Sequence, residues 1–194
     1  SKPQFVVFVV EPKSAVVLID GKLYTPQDGV VTTVLESGGY SYSISAKDYH
    51  DATGTFTVAG AKVEKSINLD PAYGWLEVKS SQLEGAAVFV DNQLIGTAPV
   101  KSGKLSSGEH TAKIVKELYD AHTAVVTISD NKITAYNPTL SADFANVTIN
   151  AFNGAEIWVN GEKKGTTKWS GRLATGAYIF EARKAGHRTT TLAK

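Results

Sequence analysis

One pattern recurs three times along this chain at a spacing of about 70 residues, and it restricts the possible folds more than any other feature. An apolar run closes on a two-residue turn in "SAVVLIDGK", "GAAVFVDNQ" and "GAEIWVNGE", the turn pairs being Asp20-Gly21, Asp91-Asn92 and Asn160-Gly161. Asp, Asn and Gly tolerate the positive φ that a tight hairpin turn requires. Downstream, "LESGGY", "LSSGEH" and "LATGAY" place Leu35, Leu105 and Leu173 ahead of Gly38, Gly108 and Gly176, and a ring follows each glycine at Tyr40, His110 and Tyr178. A second ring then recurs at Tyr49, Tyr119 and His187. "KVEKSINLD" and "KITAYNPTL" close the first two copies, with Leu69 and Leu140 equally far from Asp20 and Asp91. The three glycines are expected to open tight turns with positive φ.

A repeat of this length exceeds the 20–50 residues of a solenoid unit and can enclose its own small core. Segments such as "YSYSISA", "GTFTVAG", "AKIVKEL" and "AVVTIS" alternate apolar and polar residues between turn formers, the signature of short antiparallel strands. Helical periodicity over any long stretch is missing. The expectation is an all-β chain of tandem small antiparallel β-sandwich modules, Ig-like in architecture, at 1–74, 75–145 and 146–194. The short junctions "DPAYGW" and "SADFAN" each carry an aromatic, Tyr73 with Trp75 and Phe144, which predicts a stiff array rather than a flexible linker. The third copy stops soon after His187, at "RTTTLAK", so it should lack its closing strand, expose a ladder of unpaired backbone groups and leave a core incompletely covered. Truncation of the chain is the favoured explanation. Completion by a strand from another molecule, or self-association through this module, is the alternative.

Composition removes several classes of function. Twenty basic residues against nineteen acidic ones leave a formal charge of +1, which gives no general attraction to nucleic acid or anionic lipid. "FVVFVV" at 5–10 is far shorter than the roughly 18 apolar residues of a membrane-spanning helix, so no membrane insertion by this segment is expected. With no cysteine there is no disulfide, thiol nucleophile or thiolate metal site. The start at Ser1 and the lack of methionine read as a mature or excised segment.

These anchors resemble the PEGA family of small β-sandwich modules, whose usual pattern runs "PxGAxVxIDGxxxGxTP" and then "LxPGxYxVxxxxxGY". The second repeat carries "EGAAVFVDNQLIGTAPV" and "LSSGEHTAKIVKELY", and the third "NGAEIWVNGEKKGTT" and "LATGAYIFEARKAGH". The first, "KSAVVLIDGKLYTPQ", lacks the "GA" and the glycine before "TP". The resemblance implies three PEGA-like repeats, an extracytoplasmic location (periplasm or cell surface), envelope or surface proteins as partners, and no catalysis.

No P-loop, GxSxG, HExxH or GxGxxG motif is present, and no cofactor or metal is expected. His110 and His187 occupy slots that hold tyrosine in sister repeats and read as packing residues. His50 and His122 follow the second ring, near Asp48 or Asp51 and near Asp120, in surface loops. Asp20, Asp91 and Asn160 recur as turn residues, since paired-carboxylate chemistry tolerates no Asn substitution and needs two acids across one bond. Phe89 and Trp158 precede the turns of repeats two and three on the face opposite Val88/Val90 and Ile157/Val159, which makes them a candidate contact surface. Trp75 is expected at the first junction and Trp169 half in the core. Two functions follow. One is a structural spacer or protein-binding array of a prokaryotic cell envelope, of surface-layer type. The other is a carbohydrate-binding module in which Trp158, with Tyr24 or Tyr42, stacks on a polysaccharide.

Overall fold

The computed structural model describes residues 2–194, and its elements are strands apart from one short 3₁₀ turn at Ser81–Leu83. The fold is all-β. Among the described residues no helix is long and apolar enough to cross a membrane.

In the first unit β1 (Gln4–Glu11), β2 (Val16–Ile19), β3 (Lys22–Tyr24), β4 (Val30–Leu35), β5 (Gly38–Ser45), β6 (Ala52–Val58) and β7 (Val63–Asn68) form two sheets, β4-β1-β7 and β3-β2-β5-β6. Alternation along β1 sends Val6, Phe8 and Val10 inward, where they are fully buried against Val17, Ile19, Ile44, Phe56 and Val58. Burial of such aliphatic and aromatic side chains contributes about 1.5–3 kcal/mol each before the entropy of ordering is subtracted. The second unit repeats the plan with β8 (Tyr73–Val78), β9 (Ala87–Val90), β10 (Gln93–Thr97), β11 (Val100–Lys101), β12 (Leu105–Ser106), β13 (Gly108–Val115), β14 (His122–Ile128) and β15 (Ile133–Ala135). Here β8 is flanked by β11 and β12 on one side and β15 on the other, facing the sheet β10-β9-β13-β14. Leu76, Val78, Val88, Val90, Ala112, Ile114 and Ile128 fill this second core.

The pairing is not antiparallel throughout. β7 lies parallel to β1 and β15 parallel to β8, while the remaining ladders in these units are antiparallel. Each of these units therefore has its first strand beside its last, both running the same way. A hairpin cannot make that connection, so the chain crosses from one sheet to the other before returning.

The third unit departs from the plan. β16 (Phe144–Asn150), β17 (Glu156–Val159), β18 (Glu162–Thr166), β19 (Lys168–Ala174), β20 (Ile179–Arg183) and β21 (Thr190–Ala193) make one six-stranded sheet in the order β16-β19-β18-β17-β20-β21. Among the described residues only β19 pairs with β16. Ala155, Ile157 and Val159 are buried as their counterparts are, but Val147, Ile149 and Ala182 stay half-exposed where Phe8, Val10 and Ile44, or Leu76, Val78 and Ile114, are buried in a closed core.

The three turn pairs adopt left-handed backbone at both residues: Asp20 (φ 47°) and Gly21 (78°), Asp91 (48°) and Asn92 (65°), Asn160 (46°) and Gly161 (79°). This is the twist that a two-residue hairpin needs. The glycines before the ring slots behave differently from the expectation. Gly108 has φ +123°, but Gly38 and Gly176 do not enter the positive-φ region. Gly38 starts β5 as ordinary strand backbone, and Gly176 sits in the turn before β20.

Candidate interaction surfaces

The recurring residues work as clamps. The Oδ1 atom of Asp20 accepts the Ser41 backbone N–H at 2.7 Å, that of Asp91 accepts Thr111 N–H at 2.9 Å, and that of Asn160 accepts Ile179 N–H at 2.7 Å. Each hairpin turn is thereby tied to the strand that carries the ring slot. An amide oxygen accepts as well as a carboxylate, so Asn at the third position changes nothing essential. Backbone and then side-chain hydrogen bonds from Ser41 hold the Asp20 carboxyl below its usual range.

The ring slots share a second bond. The hydroxyls of Tyr40 and Tyr178 donate to the carbonyls of Glu36 (3.0 Å) and Ala174 (2.9 Å). His110 does the same with Nε2, 2.7 Å from the Ser106 carbonyl, and its Nδ1 lies 2.7 Å from Asp91 Oδ2. A carbonyl and a carboxylate both accept, so the ring satisfies both only as the imidazolium. Burial of the His110 ring pulls its pKa down, but the bond to Asp91, the Ser106 carbonyl and the carboxylate charge outweigh it and raise the pKa. The bond from His110, followed by that from Thr111, lowers Asp91.

Trp158 and Phe89 are half-buried. The Arg183 guanidinium lies 4.2 Å over the Trp158 ring, and the indole Nε1 donates to Glu156 Oε2 at 3.2 Å. Lys163 Nζ sits 2.6 Å from Glu156 Oε1 and, more than the indole, holds that carboxyl below its usual range. Trp158 is thus one member of a charged surface cluster rather than an open platform. Tyr24 has Lys22 at 5.3 Å from its ring centre, and Tyr42 packs edge-on against Phe8 in the first core.

The sequence reading missed a more apolar patch. On the outer face of the first unit Phe5 (58% exposed) pairs across strands with Val34 (49%), and Val9 (45%) with Val30 (37%). The signal was present in "FVVFVV", which is apolar at both parities. In the register that matches Phe8 and Val10 to Leu76 and Val78 and to Val147 and Ile149, the positions of Phe5 and Val9 are Tyr73 and Glu77 in β8, and Phe144 and Thr148 in β16.

The junctions repeat as closely as the cores. His50 N–H donates to the Asp70 carbonyl and Ala72 N–H to the Asp48 carbonyl, both at 2.9 Å; Asp120 N–H to Ser141 and Asp143 N–H to Leu118 reproduce the pair at 2.9 Å each. Asp48 and Leu118 both have φ 67°, a strained value for leucine that recurs at the same place in the turn. Aromatic edges cover both seams: Tyr49 on Tyr73 (6.0 Å between centres) and Tyr73 on Trp75 (5.5 Å) at the first, Tyr119 on Phe144 (5.8 Å) at the second. The first seam has an extra bridge. His50 Nε2 lies 2.9 Å from Asp130 Oδ2, while Asp130 Oδ1 accepts the Ser107 hydroxyl. His50 therefore pairs with neither Asp48 nor Asp51, and His122 bonds the Tyr136 hydroxyl at 2.6 Å rather than Asp120. His187 stacks on Phe152 at 5.6 Å. Trp169 packs half-buried against Gly165 and Gly171.

An apolar cleft of about 830 Å³ opens in the third unit, lined by Val147, Ile149, Leu173, Tyr178, Phe180 and Leu192 among others. Among the described residues no group of three or more His, Cys, Asp or Glu side chains is placed to hold a metal ion.

The PEGA domain family model matches residues 74–142. No curated protein sequence matches the chain. Among solved structures, the Bacillus anthracis TIE protein aligns over 100% of this chain and 48% of its own, at 16% identity and TM-score 0.38. This chain thus spans about half the length of that protein. The minor pilin GBS52 of Streptococcus agalactiae aligns over 72% of this chain and 96% of its own, at 12% identity and TM-score 0.34. SGBP-B of the Bacteroides ovatus mixed-linkage glucan utilization locus, in complex with a mixed-linkage heptasaccharide, aligns over 91% of this chain and 56% of its own, at 13% identity and TM-score 0.18. These likenesses are too distant to assign a role.

Proposed function

We propose that this chain, which carries a PEGA domain in its central unit, is a non-catalytic, semi-rigid tandem spacer and protein-binding array on the extracytoplasmic side of a prokaryotic cell envelope, with modules at 1–74, 75–145 and 146–194. Its partners are other envelope or surface proteins. The observation that carries the reading is the repeated junction: equivalent backbone hydrogen bonds and an aromatic edge recur at both seams, and the first adds the His50–Asp130 bridge. A flexible linker has no reason to reproduce such geometry, whereas an array that sets the spacing between surface components does. The apolar pairs Phe5–Val34 and Val9–Val30 give the first module a face suited to a protein contact. A carbohydrate platform receives less support, because Trp158 is half-buried with Arg183 over its ring.

Distance measurement between spin labels tests the spacer. The chain has no cysteine, so Ser66→Cys and Arg188→Cys place single labels in the first and third units. A narrow distance distribution that broadens when Tyr73→Ala and Phe144→Ala are combined is the expected result. A distribution already as broad as that of a Gly/Ser-linked control would overturn it.

A further inference from the structure

We propose that Tyr49 and Tyr73 form a cross-linking site: under a one-electron oxidant their rings couple into a dityrosine that staples the first unit to the second. The inference goes beyond the spacer reading, since a spacer needs no covalent joint.

The two rings come from opposite sides of the first seam. Tyr49 stands in the loop between β5 and β6, and Tyr73 opens β8. The backbone fixes both. An isolated bridge joins Tyr49 to Pro71, and the bonds from His50 to Asp70 and from Ala72 to Asp48 hold the loop against the start of β8. The ring centres are 6.0 Å apart with the planes at 84°, so the rim of one ring faces the other. Both side chains are half-buried, open to a small oxidant yet held in place. Their hydroxyls converge as well: hydrogen bonding to Tyr73, ahead of burial, raises the Tyr49 pKa. Dityrosine joins the carbons next to the two hydroxyls, so converging hydroxyls bring the reacting carbons together.

The rest of the chain offers little competition. It has no cysteine and no methionine, the side chains with the readiest oxidation chemistry, which leaves eight tyrosines and three tryptophans. Among the described residues Tyr49 and Tyr73 make the one ring contact between two tyrosines; Tyr40 and Tyr42 meet Phe56, Tyr136 meets His122 and Tyr178 meets Phe180. The second seam is a built-in control, because Tyr119 meets Phe144, which has no hydroxyl to lose a hydrogen from. Lys104 Nζ lies 4.2 Å over the Tyr73 ring and Lys101 Nζ 4.8 Å over Trp75. A positive charge there opposes a ring radical cation, so the phenol gives up its electron together with its proton.

Each tyrosine passes one electron to the oxidant and its phenolic proton to water, leaving two neutral phenoxyl radicals. The unpaired electrons pair in one carbon–carbon bond between the positions ortho to the oxygens. The hydrogens on those two carbons then move as protons to the oxygens and restore both phenols. Radicals formed on rings already in contact couple with each other before they meet another molecule.

Photo-oxidation of the whole chain with tris(bipyridyl)ruthenium and persulfate, at a dilution that suppresses coupling between molecules, tests the site. Dityrosine fluorescence in the monomer fraction is expected, and mass spectrometry should recover one linked peptide pair carrying Tyr49 and Tyr73. This mapping uses the unaltered chain, so it is independent of how any variant folds. Tyr49→Phe keeps the ring contact and should lower monomer dityrosine at least about tenfold, since the remaining tyrosines must find partners by diffusion. Tyr119→Phe should leave the yield unchanged. The staple closes residues 49 to 73 into a loop, so the oxidised chain should also need more urea to unfold than oxidised Tyr49→Phe. Tyrosine consumed without any dityrosine, cross-links confined to dimers, or equal monomer yield in Tyr49→Phe would each overturn the proposal.

Discussion

His110 makes the stability of the second unit depend on pH in a way that its tyrosine counterparts cannot. Its side chain is 9% exposed and holds two acceptors, Asp91 Oδ2 and the Ser106 carbonyl, each at 2.7 Å. The folded pKa is raised, so the stabilisation is fully present below the unfolded value of about 6.5 and is lost as pH climbs through the higher folded value. Deprotonation turns one ring nitrogen into a lone pair facing an oxygen. A hydrogen bond to a charged group contributes about 1.5–3 kcal/mol. Asp91 is 55% exposed, and solvent screening reduces that to about 1 kcal/mol. For a domain of this size that is a fall in melting temperature of about 4–8 °C between mildly acid and mildly alkaline buffer. At the acid end Asp91, whose folded pKa is depressed, withdraws its own contribution as pH falls through that value. Thermal unfolding followed by circular dichroism across this range, beside an NMR titration of the His110 ring, measures both quantities. His110→Tyr restores the sister arrangement, keeping the Ser106 bond and removing the alkaline loss. A His110 pKa at or below about 6.5, or the same pH slope in His110→Tyr, would refute the reasoning.

His50→Ala removes the His50–Asp130 bridge across the first seam and should broaden the distribution of angles between the first two units in small-angle scattering, with each unit's melting unchanged; an unaltered profile counts against a role for the bridge. Gly74 lies inward on β8, where an added Cβ would collide with the carbonyl oxygens of Ser129 and Lys132. Gly74→Ala should lower the stability of the second unit by about 1–3 kcal/mol, read as a shift in urea midpoint. Gly108→Val should cost about 1–3 kcal/mol because of the positive φ, whereas Gly38→Ala and Gly176→Ala should change the midpoint far less. Asn160→Asp should keep the bond to Ile179 N–H and the melting temperature, while Asn160→Ala should lose both, as exchange at the Ile179 amide will report.

The strands and their turns were legible because the physics behind them is local. Asp20-Gly21 and its two sisters announce left-handed backbone wherever they stand, and period-two alternation announces a strand with one buried face. The role of the ring slot was legible only in part. That Tyr40 and His110 are interchangeable was visible in the repeat, but the shared bond to a carbonyl four residues back depends on how the turn folds. The parallel placement of β7 and β15 was not legible, since alternation is blind to strand direction. The His50–Asp130 bridge joins residues 80 apart in the chain, and nothing at either position marks the other as its partner. Positive φ was assigned to all three ring-slot glycines by analogy with hairpin turns. At Gly38 the residue simply begins a strand, and the absence of a side chain there meets no conformational demand.

Side-by-side parallel placement of first and last strands gives the array a mechanical grain. Tension applied along the chain pulls β1 and β7 in opposite directions along their shared ladder, so its hydrogen bonds are loaded together in shear instead of one after another as in an opening hairpin. Forced unfolding is governed by the rate at which such a ladder lets go. The ladder of the first unit runs from Val6 to Glu11 and that of the second only from Trp75 to Glu77, which sets an order of yielding: under a rising load the second unit gives way before the first, and extends the chain while the stronger clamp still holds.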